Sequence, residues 1–521
     1  MNWQEQTPFI PQEPPRKPIY TLHDSIYAWL SLVFAFLFCQ AVPVTEHPLG
    51  GFLLIIALFA AVFVLFGIQK IKLYPVCILS AVSALIISAA LLLTESPFLI
   101  KLAFAYALAC HCYVIYCAFG NRIETGFSDF IYLDFIKILF ILPFCSLSAL
   151  FPALANESAK KGSHFLLKLI IGIGIAFVPT IIVLVLLSYD EGFTKILDTI
   201  FSTDSDQIGK IFTSLMFTLP LAMYGFGLYA SARKGCLKDK MTADRCQNGL
   251  QKMKILPRFT AVVAVTPILF LYVIFFISQW KYYISGFTGV LPQNFSYAQY
   301  ARQGFFELCA VSVINLLLIT AIAFFIRRGR QNKSVILKII TVIFCLCTLI
   351  LICTAVAKLI MYINYYGLTQ KRIYAMWLMM LIGIIFLIIT LGQFCSRMKI
   401  VALSLAVSVA MFAGLCLCNV NALTARYNTQ RYLNGTLESL DLEVMDELGY
   451  SAVPSLVQVA KTIDTKKPSE FKEQIDSILY RNAVKLEAEQ NSIFSFSVPS
   501  ALAKEALKEY TPQSPIAEYY P

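Results

Sequence analysis

Charge is what this sequence has least of. Only 14% of its 521 residues are Asp, Glu, Lys or Arg, against 58% that are hydrophobic. A soluble domain carries about a quarter charged residues and less than half apolar ones, so a chain folded wholly in water is excluded and lipid must solvate most of it. Histidine is scarce too: His23, His47, His111 and His164 are the only four, and none forms a pair at metal-ligand spacing. There is no HExxH helix, no GxSxG elbow and no Walker loop, which removes the common zinc-hydrolase, serine-hydrolase and nucleotide-binding readings. Gly172-Ile173-Gly174 sits inside an apolar run with no strand before it, so it is no dinucleotide fingerprint. No cofactor is implied.

Cysteine, by contrast, is plentiful at fifteen, yet nearly all of it lies within apolar runs and none follows Cys418. A disulfide framework in the C-terminal part is thereby excluded. Cys110-His111-Cys112 suggests a metal site only until its geometry is considered, because residues two apart point to different faces of a helix; packing is the expectation. Met1 to Lys17 is polar and proline-rich, expected to be a short arm before a first apolar run that stays in the protein as a signal anchor.

What is present is a succession of apolar runs long enough to cross a bilayer, roughly 18 residues or more. They fall at 25–43, 50–68, 73–93, 98–119, 166–188, 209–232, 257–279, 304–326, 335–361, 373–395 and 400–418. The expectation is an all-α, polytopic transmembrane helical bundle of about eleven spans. The formal charge of +11 comes from short basic clusters between these runs, where the positive-inside rule places them. Lys70 and Lys72, Lys160 and Lys161, the eight Lys/Arg from Arg233 to Arg258, and Arg327, Arg328, Arg330 and Lys333 all fall inside if the N-terminus is cytoplasmic. This orients the chain in a cell membrane, the bacterial cytoplasmic membrane, and gives no reason to expect nucleic acid; the partner is the lipid bilayer, with anionic headgroups a further possibility. The stretch Ile131 to Leu154 is apolar but interrupted by Asp134, Lys137, Pro143 and Pro152. Counting it as a span would turn every later basic loop outward, so it is expected to be interfacial or re-entrant, with Asp134 and Lys137 satisfying each other on one face.

Three parts follow: a cytoplasmic N-terminal arm at 1–24, a transmembrane helical domain at 25–418, and an extracytoplasmic helical tail at 419–521. The tail changes to soluble character, with ten Lys/Arg against fourteen Asp/Glu. Phe471, Ile475, Ile478 and Leu479 form a helical stripe after Pro468, Pro454 suits the first turn of another helix, and Leu502, Ala506 and Leu507 mark a third.

The candidate chemistry gathers at the outer face. Nine aromatic residues lie between Trp280 and Phe306, either an interfacial belt or an aromatic-lined mouth. Within them FSYAQYARQGFFEL carries Tyr297, Tyr300, Arg302 and Glu307; Glu307 is expected at the start of the eighth span, where the helix dipole favours it, with Arg302 as the partner if the chain turns between them. Asp190 and Glu191 close the fifth span, and Lys358 late in the ninth is expected to snorkel outward.

Together, FSYAQYARQGFFEL (Phe295 to Leu308), YGLTQKRIY (Tyr366 to Tyr374) and NVNALTARYNTQRY (Asn419 to Tyr432) resemble a bacterial family of polytopic membrane proteins catalogued only as a domain of unknown function. LDLEVMDELGYSAVPSLVQVA (Leu440 to Ala460) resembles that family's usual continuation. The resemblance implies a multi-pass membrane protein over roughly Leu166 to Ala460 and supplies no activity. Where the family tends to carry an Ala-Asp pair after the fifth span, this chain has Tyr189-Asp190-Glu191. The three motifs each mix Arg with Tyr or Phe beside a span end. The expectation is one extracytoplasmic ligand site built from Arg302, Glu307, Arg372, Arg426 and Arg431 with Tyr297 and Tyr300, suited to an anionic or amphipathic ligand such as an anionic lipid or envelope polymer. On this reading the protein is no enzyme but binds or transports that ligand. An envelope sensor or scaffold signalling to a cytoplasmic partner, and a membrane-embedded transferase acting on lipid-linked substrates with Glu307 as base, are the alternatives.

Overall fold

The computed structural model describes residues 20–40, 47–155 (bar 125 and 127), 205–238, 241–288, 297–326, 335–462 (bar 396), 469–489 and 492–512, with a few residues between 183 and 193. The described residues are helical almost throughout and contain no strand. In chain order the helices are α1 Leu22–Gln40, α2 Pro48–Ile68, α3 Pro75–Leu93, α4 Pro97–Ala118, α5 Ile131–Cys145, α6 Leu147–Leu154, α7 Ser205–Arg233, α8 Ala243–Met253 and α9 Arg258–Thr288. They continue with α10 Tyr297–Phe325, α11 Val335–Tyr366, α12 Gln370–Phe394, α13 Ile400–Leu417, α14 Val420–Leu433, α15 Leu442–Glu447, α16 Val453–Thr462, α17 Ser469–Glu489 and α18 Val498–Lys508.

Nine of these are long and apolar enough to cross a membrane, and each coincides with an expected span. The run at 209–232 is helix α7; the run at 166–188, bar Val183 and Leu187, lies outside the described residues. Prolines in the first turn start α3, α4 and α18, where the missing N–H costs nothing. The Ile131–Leu154 stretch is a broken element: α5 and α6 meet at a bend of 55°. Pro143 cannot donate the hydrogen bond that would continue the helix, and the turn before it, Lys137–Ile141, widens to π geometry.

Asp134 and Lys137 lie within electrostatic reach of each other, as their i,i+3 spacing implies, but their hydrogen bonds go to other partners. Asp134 Oδ1 accepts from Tyr116 Oη at 2.6 Å and from the Ile123 amide at 3.3 Å. Lys137 donates to the Asn121 carbonyl at 3.4 Å and lies over the Tyr116 ring, 5.2 Å from its centroid. The fold brings those partners from α4 and the loop after it.

The chain divides into two compact units, one holding α1, α6 and α7, the other holding α3, α4, α8 to α18 and most of α2 and α5. In the smaller, α1 packs along α7 through Tyr27 stacked on Tyr229 at 4.1 Å, and an Asp24–Arg233 ion pair joins the start of α1 to the end of α7. Gly227 leaves room for the Pro143 carbonyl, which a Cβ there would strike.

The larger unit is built around α9 to α12, with Phe344, Cys345, Ala355, Met379 and Phe386 at its centre. Lipid offers no hydrophobic drive between spans, so hydrogen bonds between them count. Here Tyr272 donates to Asn315 at 2.7 Å, Asn315 to Thr348 at 2.9 Å, and Thr348 to the Phe344 carbonyl at 2.8 Å, tying three spans together. The unit's two ends are marked by contacts. Tyr132 meets Phe324, Leu256 bridges to Ile326, and Asp129 accepts from the Ala402 amide at one end. The 94–96 turn, the end of α11 and the tail helices gather at the other. The tail has its own core, in which Met445, Val453, Leu456, Ile475, Leu479 and Ala503 are buried; the stripe on α17 faces inward as its period requires.

Candidate functional site

At 1.5 Å per residue the 32 residues of α11 span about 48 Å, well beyond a hydrocarbon core of roughly 30 Å. The carbonyls of its last turn have no partners within the helix and must find them elsewhere. Gly367, at φ 79°, ends the helix, and Thr369 caps α12 by accepting from the Arg372 amide at 3.4 Å. Arg372 then folds back, donating to the carbonyls of Tyr366 and Gly367 and lying 4.2 Å from the Tyr362 ring centroid. From α14, Arg431 reaches the same helix end, donating to the Ile363 carbonyl at 3.4 Å while its other nitrogens hold Thr436. Two guanidiniums thus sit at the negative end of one helix dipole, where cations are favoured.

Asn428 completes this corner. Its amide oxygen accepts from the Leu368 N–H at 2.7 Å and its nitrogen donates to the Leu368 carbonyl at 2.8 Å. A Cβ on Gly367 would lie 2.8 Å from that oxygen, so glycine is required both by φ and by space.

The adjoining corner is built on Glu95, in the turn between α3 and α4. Its carboxylate accepts from the amides of Tyr450 (3.2 Å) and Ser451 (2.8 Å) and from the Ser451 hydroxyl (2.9 Å). Beside it Tyr374 donates to Ser96 at 2.7 Å, Asn419 to Ser451 at 3.3 Å and Asn421 to the Leu448 carbonyl at 3.3 Å. The polar residues of YGLTQKRIY and NVNALTARYNTQRY are therefore those that join span ends to the tail.

Of the expected site residues, Arg372 and Arg431 come together on α11. Arg426, on α14, is exposed and bonds to no described residue. Tyr297, Tyr300 and Arg302 lie in α10, and their side chains are outside what is described. Helix α10 begins at Tyr297 rather than near 304, so Glu307 is well inside it and the dipole argument for that residue does not hold. A continuous helix also sets Arg302 and Glu307, five residues apart, about 140° from each other. Lys358 of α11 is a cation within electrostatic reach of Glu307. The lysine crosses α10 at Gly304, where a Cβ would meet Nζ at 2.5 Å. Asp190 accepts from the Phe193 amide at 2.8 Å, a local turn bond.

Glu95, Asn428, Gly367, Gly304 and Tyr374 were not singled out by sequence. Glu95 offered one signal, a lone carboxylate between two apolar runs, without indicating its partner. Among the described residues no cluster of His, Cys, Asp or Glu is arranged to hold a metal ion.

A family model described as Domain of unknown function (DUF4153) matches residues 81–459. That match opens within α3, earlier than the motifs alone indicate, and closes within α16, so it takes in both corners of the site. No curated protein and no solved structure matches the chain.

Proposed function

The chain belongs to this DUF4153 family, and we propose that it is a multi-pass protein of the bacterial cytoplasmic membrane that binds an anionic or amphipathic ligand at the tail-bearing end of its bundle. On this reading the N-terminus is cytoplasmic and the tail extracytoplasmic. The observation that carries the reading is the pair of guanidiniums, Arg372 and Arg431, held together at the carbonyl end of α11. Lys358 lies two turns back on α11, Lys371 stands beside Arg372 and Arg426 is exposed on α14, while Glu95 is engaged with Tyr450 and Ser451. Guanidiniums already in place on a rigid helix end suit a phosphate or carboxylate, and the rings of Tyr362 and Tyr427 beside them suit an acyl or sugar surface. Binding is favoured over catalysis because the carboxylate best placed, Glu95, is already committed as an acceptor for the tail.

A second reading has its own observation. Arg372 and Arg431 already hold backbone carbonyls, as residues would in a purely mechanical joint between tail and spans, the arrangement of a scaffold or sensor. Arg426 separates the two, because it is exposed and serves no described contact. Native mass spectrometry of the purified protein, with its co-purifying lipids, is the test. The ligand reading expects retained anionic lipid or polymer, and Arg426→Ala should reduce that retention while leaving the melting temperature unchanged. Retention that is indifferent to headgroup charge and to Arg426→Ala would transfer support to the joint.

A further inference from the structure

The turn between α17 and α18 exposes three large apolar side chains in succession around one serine: Ile493 at 82%, Phe494 at 55% and Phe496 at 48%. A water-facing turn of a tail rich in charge has no use for them, and three together form a patch rather than the scattered singles normal on a surface. Their location explains them. A Cβ on Gly50, in the first turn of the apolar span α2, would meet Phe494 Cβ at 3.5 Å and Cδ1 at 3.6 Å. One turn further along the same face, Leu53 is 44% exposed, as a lipid-facing residue is. The turn therefore continues the lipid-facing side of α2 at the level where that span leaves the hydrocarbon. Helix α18, immediately after it, packs on Ala90 to Leu93 at the end of α3, which holds the turn at that height.

Part of the turn's backbone is bonded within the turn itself. Polar groups that enter lipid must find partners within the protein. Ser495 N–H donates to the Ser492 carbonyl and Phe496 N–H to the Ile493 carbonyl, each at 3.3 Å, and the Ser495 hydroxyl donates to Ser492 at 2.7 Å. Ser497 and Ser500 then close a reciprocal capping box at 3.2 Å in each direction.

We infer that Ile493, Phe494 and Phe496 form a membrane-dipping anchor by which the tail inserts into the headgroup–acyl boundary of the leaflet on its own side. The occupant of the patch is lipid. Aromatic residues are at home at that depth, and the Ser495 and Phe496 amides enter already paired within the turn, which lowers the cost of insertion.

The test places a photoreactive benzoylphenylalanine at position 493 or, as a control on the same tail, at the exposed Lys472. Full-length protein is reconstituted in phosphatidylethanolamine/phosphatidylglycerol vesicles, irradiated, and its adducts identified by mass spectrometry. Ile493 packs against little, so the label there leaves the fold intact, which an unchanged melting temperature checks. Lipid adducts at 493 severalfold above those at 472 are the expected result. Equal yields at the two positions, or adducts at 493 to a second copy of the chain or another protein, would overturn the anchor. The triple change Ile493→Ser, Phe494→Ser, Phe496→Ser is the second measurement: it should raise hydrogen exchange across 493–500 in vesicles, and unchanged exchange there would equally count against insertion.

Discussion

The side-chain amide of Asn428 engages both backbone groups of Leu368, receiving its N–H at 2.7 Å and donating to its carbonyl at 2.8 Å, as a paired strand would. The two residues belong to different motifs sixty positions apart, and this pair fixes the first tail helix to the loop between α11 and α12. A buried amide left without its partner costs about 1–3 kcal/mol. Asn428→Ala should therefore destabilise the protein by roughly that much for each backbone group that water does not reach. Asn428→Asp keeps the acceptor for the Leu368 N–H but sets a carboxylate oxygen against the Leu368 carbonyl, acceptor against acceptor, and should cost at least as much, with thermal unfolding in detergent as the measure.

Gly367 makes the same corner vulnerable from the other side. Gly367→Ala must hold a left-handed φ and push its Cβ against Asn428, a combination that costs on the order of 1–3 kcal/mol. In a double-mutant cycle Gly367→Ala and Asn428→Ala should be less than additive, because removing the amide relieves the clash. Strict additivity would place the cost in backbone conformation alone.

Topology can be examined from the ends of the larger unit. Tyr132 and Leu256 lie at one end of it, through Phe324 and Ile326, so the chain between them crosses an even number of times. If the runs at 166–188 and 209–232 each cross once, that parity makes Ile131 to Leu154, bent by 55°, a re-entrant element and not a span. Reporters fused after Gly126 and after Gly162 should both read cytoplasmic. Opposite readings would make the stretch a full span and move the tail to the other side.

In the tail, Tyr510 donates to Asp476 Oδ1 at 2.6 Å. Burial first, then the Asp476 hydrogen bond and charge, raise the phenol above its ordinary pKa. An acid whose folded pKa is raised contributes stability that is intact below the unfolded value, near 10, and lost as pH climbs from there through the folded value. A difference titration of Tyr510→Phe against the parent should show that the missing phenol is among the last to ionise while the tail is folded. A missing phenol that titrates near 10 would contradict the contact.

How far the sequence carried the reading depends on the range of each interaction. Spans and tail helices were legible because run length and a 3.6-residue period are local properties: Pro454, the α17 stripe and Leu502 with Ala506 all fell in helices. The break at Pro143 was legible for the same reason. Asp134 and Lys137 were read in part: the spacing gave their mutual attraction, while the hydrogen bonds from Tyr116 and Ile123 and to Asn121 come from a different helix and loop. Glu307 was misjudged because the polar opening Tyr297-Ala-Gln-Tyr-Ala-Arg-Gln conceals two further turns of helix. The bond from Glu95 to Ser451 joins residues 356 positions apart, and no local pattern announces it. The motifs did mark where the arginines and asparagines matter, without saying that Arg372, Asn421, Asn428 and Arg431 hold carbonyls.

The central claim is that the motif residues make the tail and the span ends a single cooperative body on which a ligand can act. Amide hydrogen exchange at Tyr450, Ser451 and Leu368, in parent and in Glu95→Gln, tests it most directly. One body requires all three amides to open with a common free energy in the parent, and to lose protection together when the Glu95 charge is removed. Tyr450 and Ser451 exchanging freely in the parent, or losing protection in the variant while Leu368 keeps its own, would show a tail merely resting on the spans and would contradict the account.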